Sequence, residues 1–108
     1  MTAVFDGLRV LELSINQVGA TVGQFFADYG ADVVMVEPPG GSPLRAEAGF
    51  PFWARGKRNV ELDAHNEGDR AALLELAQGA DVLVETFRPG VADRLGVGYD
   101  AVKRENPW

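Results

Sequence analysis

The sequence predicts an α/β protein: a Rossmann-like open parallel sheet of about four strands with flanking helices. Apolar runs of strand length recur along the chain, stretches of helical spacing lie between them, and Gly, Pro or Asn marks the changes of period. The clearest case runs from Gly7 to Glu37. Arg9 to Leu13 is an apolar run of buried-strand type, and Ser14 to Ala20 supplies the polar and small residues of a tight loop. Val22, Phe25, Phe26 and Tyr29 then fall at i, i+3, i+4 and i+7, one helical face that is expected to be buried. Gly30 stops the helix, and Ala31 to Val36, with three valines, reads as a second buried strand ending at Glu37. Two strands joined through a helix form a βαβ unit, with parallel strands and a right-handed crossover.

The remaining elements follow in order. Pro38 to Gly56 holds four of the six prolines and reads as a long loop, with a helical turn possible over Leu44 to Gly49. Arg58 to Leu62 alternates polar and apolar residues as a third strand with one covered face, and ends at Asp63. Asn66 is placed to cap a helix, with Asp69 at the reciprocal position of a capping box. Leu73, Leu76 and Ala77 share that helix's apolar face, and Gly79 closes it. Asp81 to Glu85 encloses three apolar residues as a fourth strand of the fully buried kind, followed by a turn at Arg88, Pro89 and Gly90. Tyr99 to Glu105 reads as a helix stopped by Asn106 and Pro107. The usual doubly wound order sets the first strand between the second and fourth, leaving the fourth at an edge. A buried-type strand at an edge invites pairing, so the chain reads as one incomplete domain, a piece of something larger.

Composition narrows the function. Hydrophobic residues at 46% and charged residues at 24% indicate a globular chain, and no apolar run approaches the roughly 20 residues of a membrane span. No secretory signal is visible, there is no cysteine, and cytoplasm is the expected location. A net charge of −6 argues against a nucleic-acid binder.

Open parallel sheets bind ligands beyond the carboxyl ends of their strands, which nominates Ser14 to Gly19, Pro38 to Gly41, Asp63 to Asn66 and Thr86 to Gly90. The dinucleotide fingerprint needs three glycines after the first strand, and this loop offers only Gly19 and Gly23. Glu37 stands where a ribose-binding carboxylate belongs, weak support for a nicotinamide-binding fragment. Arg55, Lys57 and Arg58 form one basic cluster and Arg88 with Arg94 a second, read either as a solvated, ion-paired face or as phosphate ligands. Phe50, Phe52 and Trp53 are expected to pack the long loop down. His65 is the single histidine and lacks companions for a metal site, and no Ser, Cys or Lys sits in an activated-nucleophile context. Spacing alone identifies no catalytic residue.

The blocks GLRVLEL, FFADYGADVVMVEPPGG, RGKRNVELD, ADVLVETFRPGVADRLGVGYD and ENP together resemble the N-terminal part of the class III CoA-transferases. That family includes formyl-CoA transferase, carnitine CoA-transferase and alpha-methylacyl-CoA racemase. The resemblance implies a Rossmann-like domain holding coenzyme A or an acyl-CoA, with no metal, in an enzyme that moves CoA between carboxylic acids or epimerises an acyl-CoA. It also implies an interlocked dimer, and an aspartate nucleophile that would lie beyond residue 108. The chain would then carry binding residues without the reacting ones, and its partners would be a CoA thioester and either a second copy or the remainder of the enzyme.

Carried over by motif, the resemblance assigns Gln17 and Val18 to the pantetheine and thioester, and Leu62, Asp63, Ala64 and His65 to the CoA-lining segment after the third strand. It assigns Thr86, Phe87 and Arg88 to the segment after the fourth, and Arg94 to the phosphate end. Pro38 replaces an arginine that some relatives set against the adenine, Thr86 replaces a frequent asparagine, and Ala20 a frequent proline. Arg45, Lys57 or Arg58 are the alternatives for the contacts those changes remove. A reading of a different class is a non-catalytic interaction module that associates through its exposed sheet edge.

Overall fold

The computed structural model describes residues 3–106 of the chain. Its elements are β1 (Arg9–Leu13), α1 (Gln17–Asp28), β2 (Asp32–Glu37), a 3₁₀ turn (Pro43–Ala46), α2 (Phe50–Ala54), β3 (Arg58–Glu61), α3 (Glu67–Gln78), β4 (Val82–Glu85), α4 (Val91–Arg94) and α5 (Tyr99–Glu105). The strands form one parallel sheet in the order β3-β2-β1-β4. This is the doubly wound order, with β1 between β2 and β4 and β4 at an edge.

Alternation along β1 splits the core in two. Val10 lies opposite Val33 and Val82 and packs with Phe26 and Ala27 of α1. Leu11 and Leu13 face the other way, against Leu73 and Ala77 of α3 and Val97. Each face of β1 is therefore covered by a different helix layer, which is why Val10, Leu11 and Leu13 are all buried.

Several expectations are corrected. The aromatic face of α1 is not buried: Phe25 is 55% and Tyr29 48% exposed, and Val22 also faces outward. Gly19, Ala20, Gly23 and Gln24 are buried instead, because small residues let the helix axis come close to the sheet. Phe25 and Tyr29 pack against each other and, with Phe26, around Phe5 from the lead-in, at ring separations of 4.9 to 6.4 Å. The stretch from Pro38 to Gly56 is not one long loop; Ser42 caps the 3₁₀ turn and Phe50–Ala54 is helical. β4 is only half-buried along Val82 to Val84, since one of its edges is open. Leu76 turns outward, leaving Leu73 and Ala77 as the buried face of α3.

Local signals explain the helix ends. Asn16 caps α1 by accepting from the Gly19 amide, and Asn66 caps α3 by accepting from Asp69. The reciprocal half of the expected capping box is absent, because the Asp69 carboxylate accepts from the Asp63 amide instead. Asn106 does more than stop α5: its side-chain amide lies 2.9 to 3.1 Å from the carbonyls of Ala77, Gln78 and Ala80, tying α5 to the end of α3. Pro107, the other expected stop, lies outside the described residues.

Candidate functional site at the carboxyl edge of the sheet

Because all four strands run the same way, the loops after them open on one edge of the sheet. The β1 loop is tightly built. Ser14 is buried and donates to Glu12 Oε2 at 2.8 Å. Gly19 sits directly over it: a Cβ there would overlap Ser14 and come within 2.9 Å of Thr86 Cγ2. The first turn of α1 thus meets Ser14 of the β1 loop and Thr86 after β4 at a position only glycine can fill. Gln17 is exposed and donates to Glu47 Oε2 at 2.8 Å, and Val18 is 70% exposed.

The other carried-over positions divide by packing. Leu62 and Phe87 are half-buried in the core on the α3 side, so their side chains serve the fold. Asp63 Oδ1 accepts from the His65 amide, and the Ala64 carbonyl accepts from Arg70 Nε, which fixes the β3 loop and leaves the His65 side chain exposed. The Phe87 amide donates to Glu85 Oε2, pinning the start of the β4 loop, while Thr86 buries its hydroxyl oxygen without a partner. Arg88 and Arg94 are exposed.

The basic residues sort in the same way. Arg55 pairs with Asp28, Arg58 with Asp32 and Arg45 with Glu37. Arg45 also covers the Phe50 ring at 4.7 Å and Arg55 the Phe52 ring at 5.1 Å. Lys57 is buried and paired with Glu12. All the proposed substitutes for a phosphate or adenine contact are therefore committed to protein partners. Among the described residues Arg88 and Arg94 form no ion pair; Arg88 lies in the loop after β4, and Arg94 ends α4. Guanidinium groups held open to solvent beside strand ends suit anionic oxygen.

Glu37 is spent on structure. Its Oε2 accepts from the Ser42 amide at 2.7 Å and from Arg45 Nε at 2.5 Å, and its Oε1 from Arg45 Nη2 at 2.6 Å and Asn59 Nδ2 at 2.9 Å. The Arg45 hydrogen bonds lead in lowering its pKa from 4.5 to about 2; burial opposes them, and Asn59 and Ser42 add to the lowering. A carboxylate with both oxygens doubly engaged has no capacity left for a ribose, which removes the main support for a nicotinamide site.

Sequence reasoning missed two networks, the Glu37 brace and the buried Glu12–Lys57 pair. The signal for the second was a glutamate inside an otherwise apolar strand, which requires a partner. No group of three or more metal-ligating side chains occurs among the described residues, and no helix among them is long and apolar enough to cross a membrane.

Comparison with known proteins agrees with this fold. The family model described as CoA-transferase family III matches residues 5–108. The chain is similar to the acetyl-CoA:oxalate CoA-transferase of Acetobacter aceti, 41% identical over an alignment of 112 positions that covers 95% of this chain and 29% of that protein. It is similar to the succinyl-CoA:mesaconate CoA-transferase of Haloarcula hispanica, 39% identical over 115 residues, with 94% and 29% covered. The crystal structure of Rv3272 from Mycobacterium tuberculosis superposes with a TM-score of 0.93 at 41% identity, covering 97% of this chain and 30% of that one. The chain thus spans under a third of the length of these relatives.

Proposed function

The chain belongs to CoA-transferase family III, and on that premise we propose that it is the coenzyme A-binding portion, residues 1–108, of an enzyme that transfers CoA between carboxylic acids or epimerises an acyl-CoA. The reading rests on one observation above the others. Arg88 in the loop after β4 and Arg94 at the end of α4 are exposed and without an ion pair among the described residues, while Arg45, Lys57 and Arg58 are committed elsewhere. In this reading the two arginines take the phosphates. Gln17 and Val18 lie along the pantetheine and thioester, and the backbone of Leu62 to His65 and of Thr86 to Phe87 lines the coenzyme. The residues that react with the thioester belong to the rest of such an enzyme, the isolated chain binds without turnover, and the site of action is the cytoplasm.

Calorimetric titration of the purified chain with CoA, with NAD as the control, tests this. Saturable CoA binding is expected, weakened about ten-fold or more in Arg94→Ala by loss of a charge-assisted bond of roughly 1.5 to 3 kcal/mol. No CoA binding by a folded chain, or equal binding of NAD, would overturn it.

A second reading concerns association. The open side of β4 borders a groove of about 650 Å³ lined by Leu83, Phe87, Ala92, Val97, Tyr99 and Val102 among others. An unpaired strand above an apolar groove favours pairing with the remainder of the enzyme or with a second copy. A sedimentation mass that rises with concentration supports self-pairing, and a monomer at all concentrations contradicts it.

A further inference from the structure

Beneath the first two turns of α1 lies an ion pair sealed from solvent. Glu12 is 0% exposed, and the Lys57 side chain is 1% exposed. Lys57 Nζ lies 2.6 Å from Glu12 Oε1 and 2.8 Å from the Ala20 carbonyl, so one ammonium group joins β1, α1 and the segment entering β3. Glu12 Oε2 accepts from Ser14 Oγ, extending the network into the β1 loop. The space is cut to fit: a Cβ at Gly23 would overlap Glu12 Oε1 and approach Lys57 Nζ to 3.1 Å.

Stability does not account for burying two charges there. Replacing a buried ion pair with apolar groups of similar volume is often neutral or stabilising, whereas removing one partner is strongly destabilising. What the pair supplies is direction. A carboxylate takes Ser14 on one oxygen and Lys57 on the other, and Lys57 in turn holds a carbonyl of the α1 amino-terminal region. Three points fixed in this way set both the height of α1 over the sheet and the course of Ser14 to Gln17.

We infer that Glu12 and Lys57 are positioning residues that hold the Ser14–Gln17 loop and the start of α1 in register with the Thr86 loop, so that Gln17 and Val18 present a fixed surface to the coenzyme. Their role at the site rests on the coenzyme reading above; their role in fixing the loop does not. Both side chains are buried and act through the loop they hold.

The test separates positioning from support of the fold. Lys57→Met alone leaves Glu12 buried without its cation and is expected to lower the unfolding midpoint. Glu12→Gln with Lys57→Met removes both charges and is expected to regain it. In that double variant, hydrogen exchange at the amides of Gly19 to Gly23 is expected to run about ten-fold faster than in the native chain while α3 amides keep native rates, and CoA affinity is expected to fall by a similar factor. Native exchange at Gly19 to Gly23 in a stable double variant would overturn the positioning role. Should the double variant fail to fold, Ser14→Ala decides. It keeps the ion pair but cuts its link to the loop, and faster exchange at Gly19 supports the inference while a native rate overturns it. Failure of the native chain to bind CoA would refute the coenzyme reading alone and leave the exchange result standing.

Discussion

Residue by residue, the chain spends its charges on shape before ligand. Glu37 is the plainest case, with four hydrogen bonds that stitch the end of β2 to Ser42, Arg45 and Asn59. Its pKa is depressed from 4.5 to about 2, so the stabilisation it gives is fully present above pH 4.5 and is lost as pH falls toward 2. The difference corresponds to stability on the order of 3 kcal/mol. Glu37→Gln is expected to lose about that much at pH 7 in urea unfolding, with the gap to the native chain closing as pH approaches 2. A gap that stays constant with pH would show that the Arg45 contact does not hold the carboxylate ionised. Glu37 was visible in the sequence as an acid at a strand end. Its use was not, because Arg45 and Asn59 reach it only after the chain turns twice. Lys57 likewise read as one of a basic cluster, and only tertiary packing shows that it alone of the three is buried.

At the scale of elements, strands were more legible than helix faces. Arg9–Leu13, Asp32–Glu37 and Val82–Glu85 stand out because a strand covered on both sides must be apolar at successive positions. α1 misleads because two sets of residues share helical spacing: Val22, Phe25, Phe26 and Tyr29, and Gly19, Ala20, Gly23 and Ala27. The large set carries the hydrophobic signal, but the small set meets the sheet. The buried glutamate in β1 leaves no room beneath α1 for a larger residue. Gly23→Ala is therefore expected to destabilise by about 1 to 3 kcal/mol in spite of alanine's better helix propensity. Thermal unfolding checks it, and an unchanged or raised midpoint would mean that the ion pair yields to the added methyl. The end of α3 carries a related lesson. Asn106 read as a stop signal, yet its side chain satisfies carbonyls of a helix 26 to 29 residues earlier. Asn106→Ala is expected to cost about 1 kcal/mol in the same measurement.

For the molecule as a whole, topology does most of the functional work. Four parallel strands in the order β3-β2-β1-β4 bring four sequence-distant loops to one edge, and that edge could be nominated from the sequence because the strand-end rule needs only element order. Within it the carried-over residues include some that hold the fold, Leu62 and Phe87, partly buried loop residues, Asp63, Ala64 and Thr86, and some open to solvent, Gln17, Val18, His65, Arg88 and Arg94. Sequence could not make that division, since side-chain exposure in a loop depends on what packs beneath it. If this edge receives coenzyme A, hydrogen exchange of the chain with and without saturating CoA will show it. Slowed exchange confined to Ser14–Ala20, Leu62–His65 and Thr86–Arg94 is the expected result. Protection elsewhere, or none at these three segments, would contradict it.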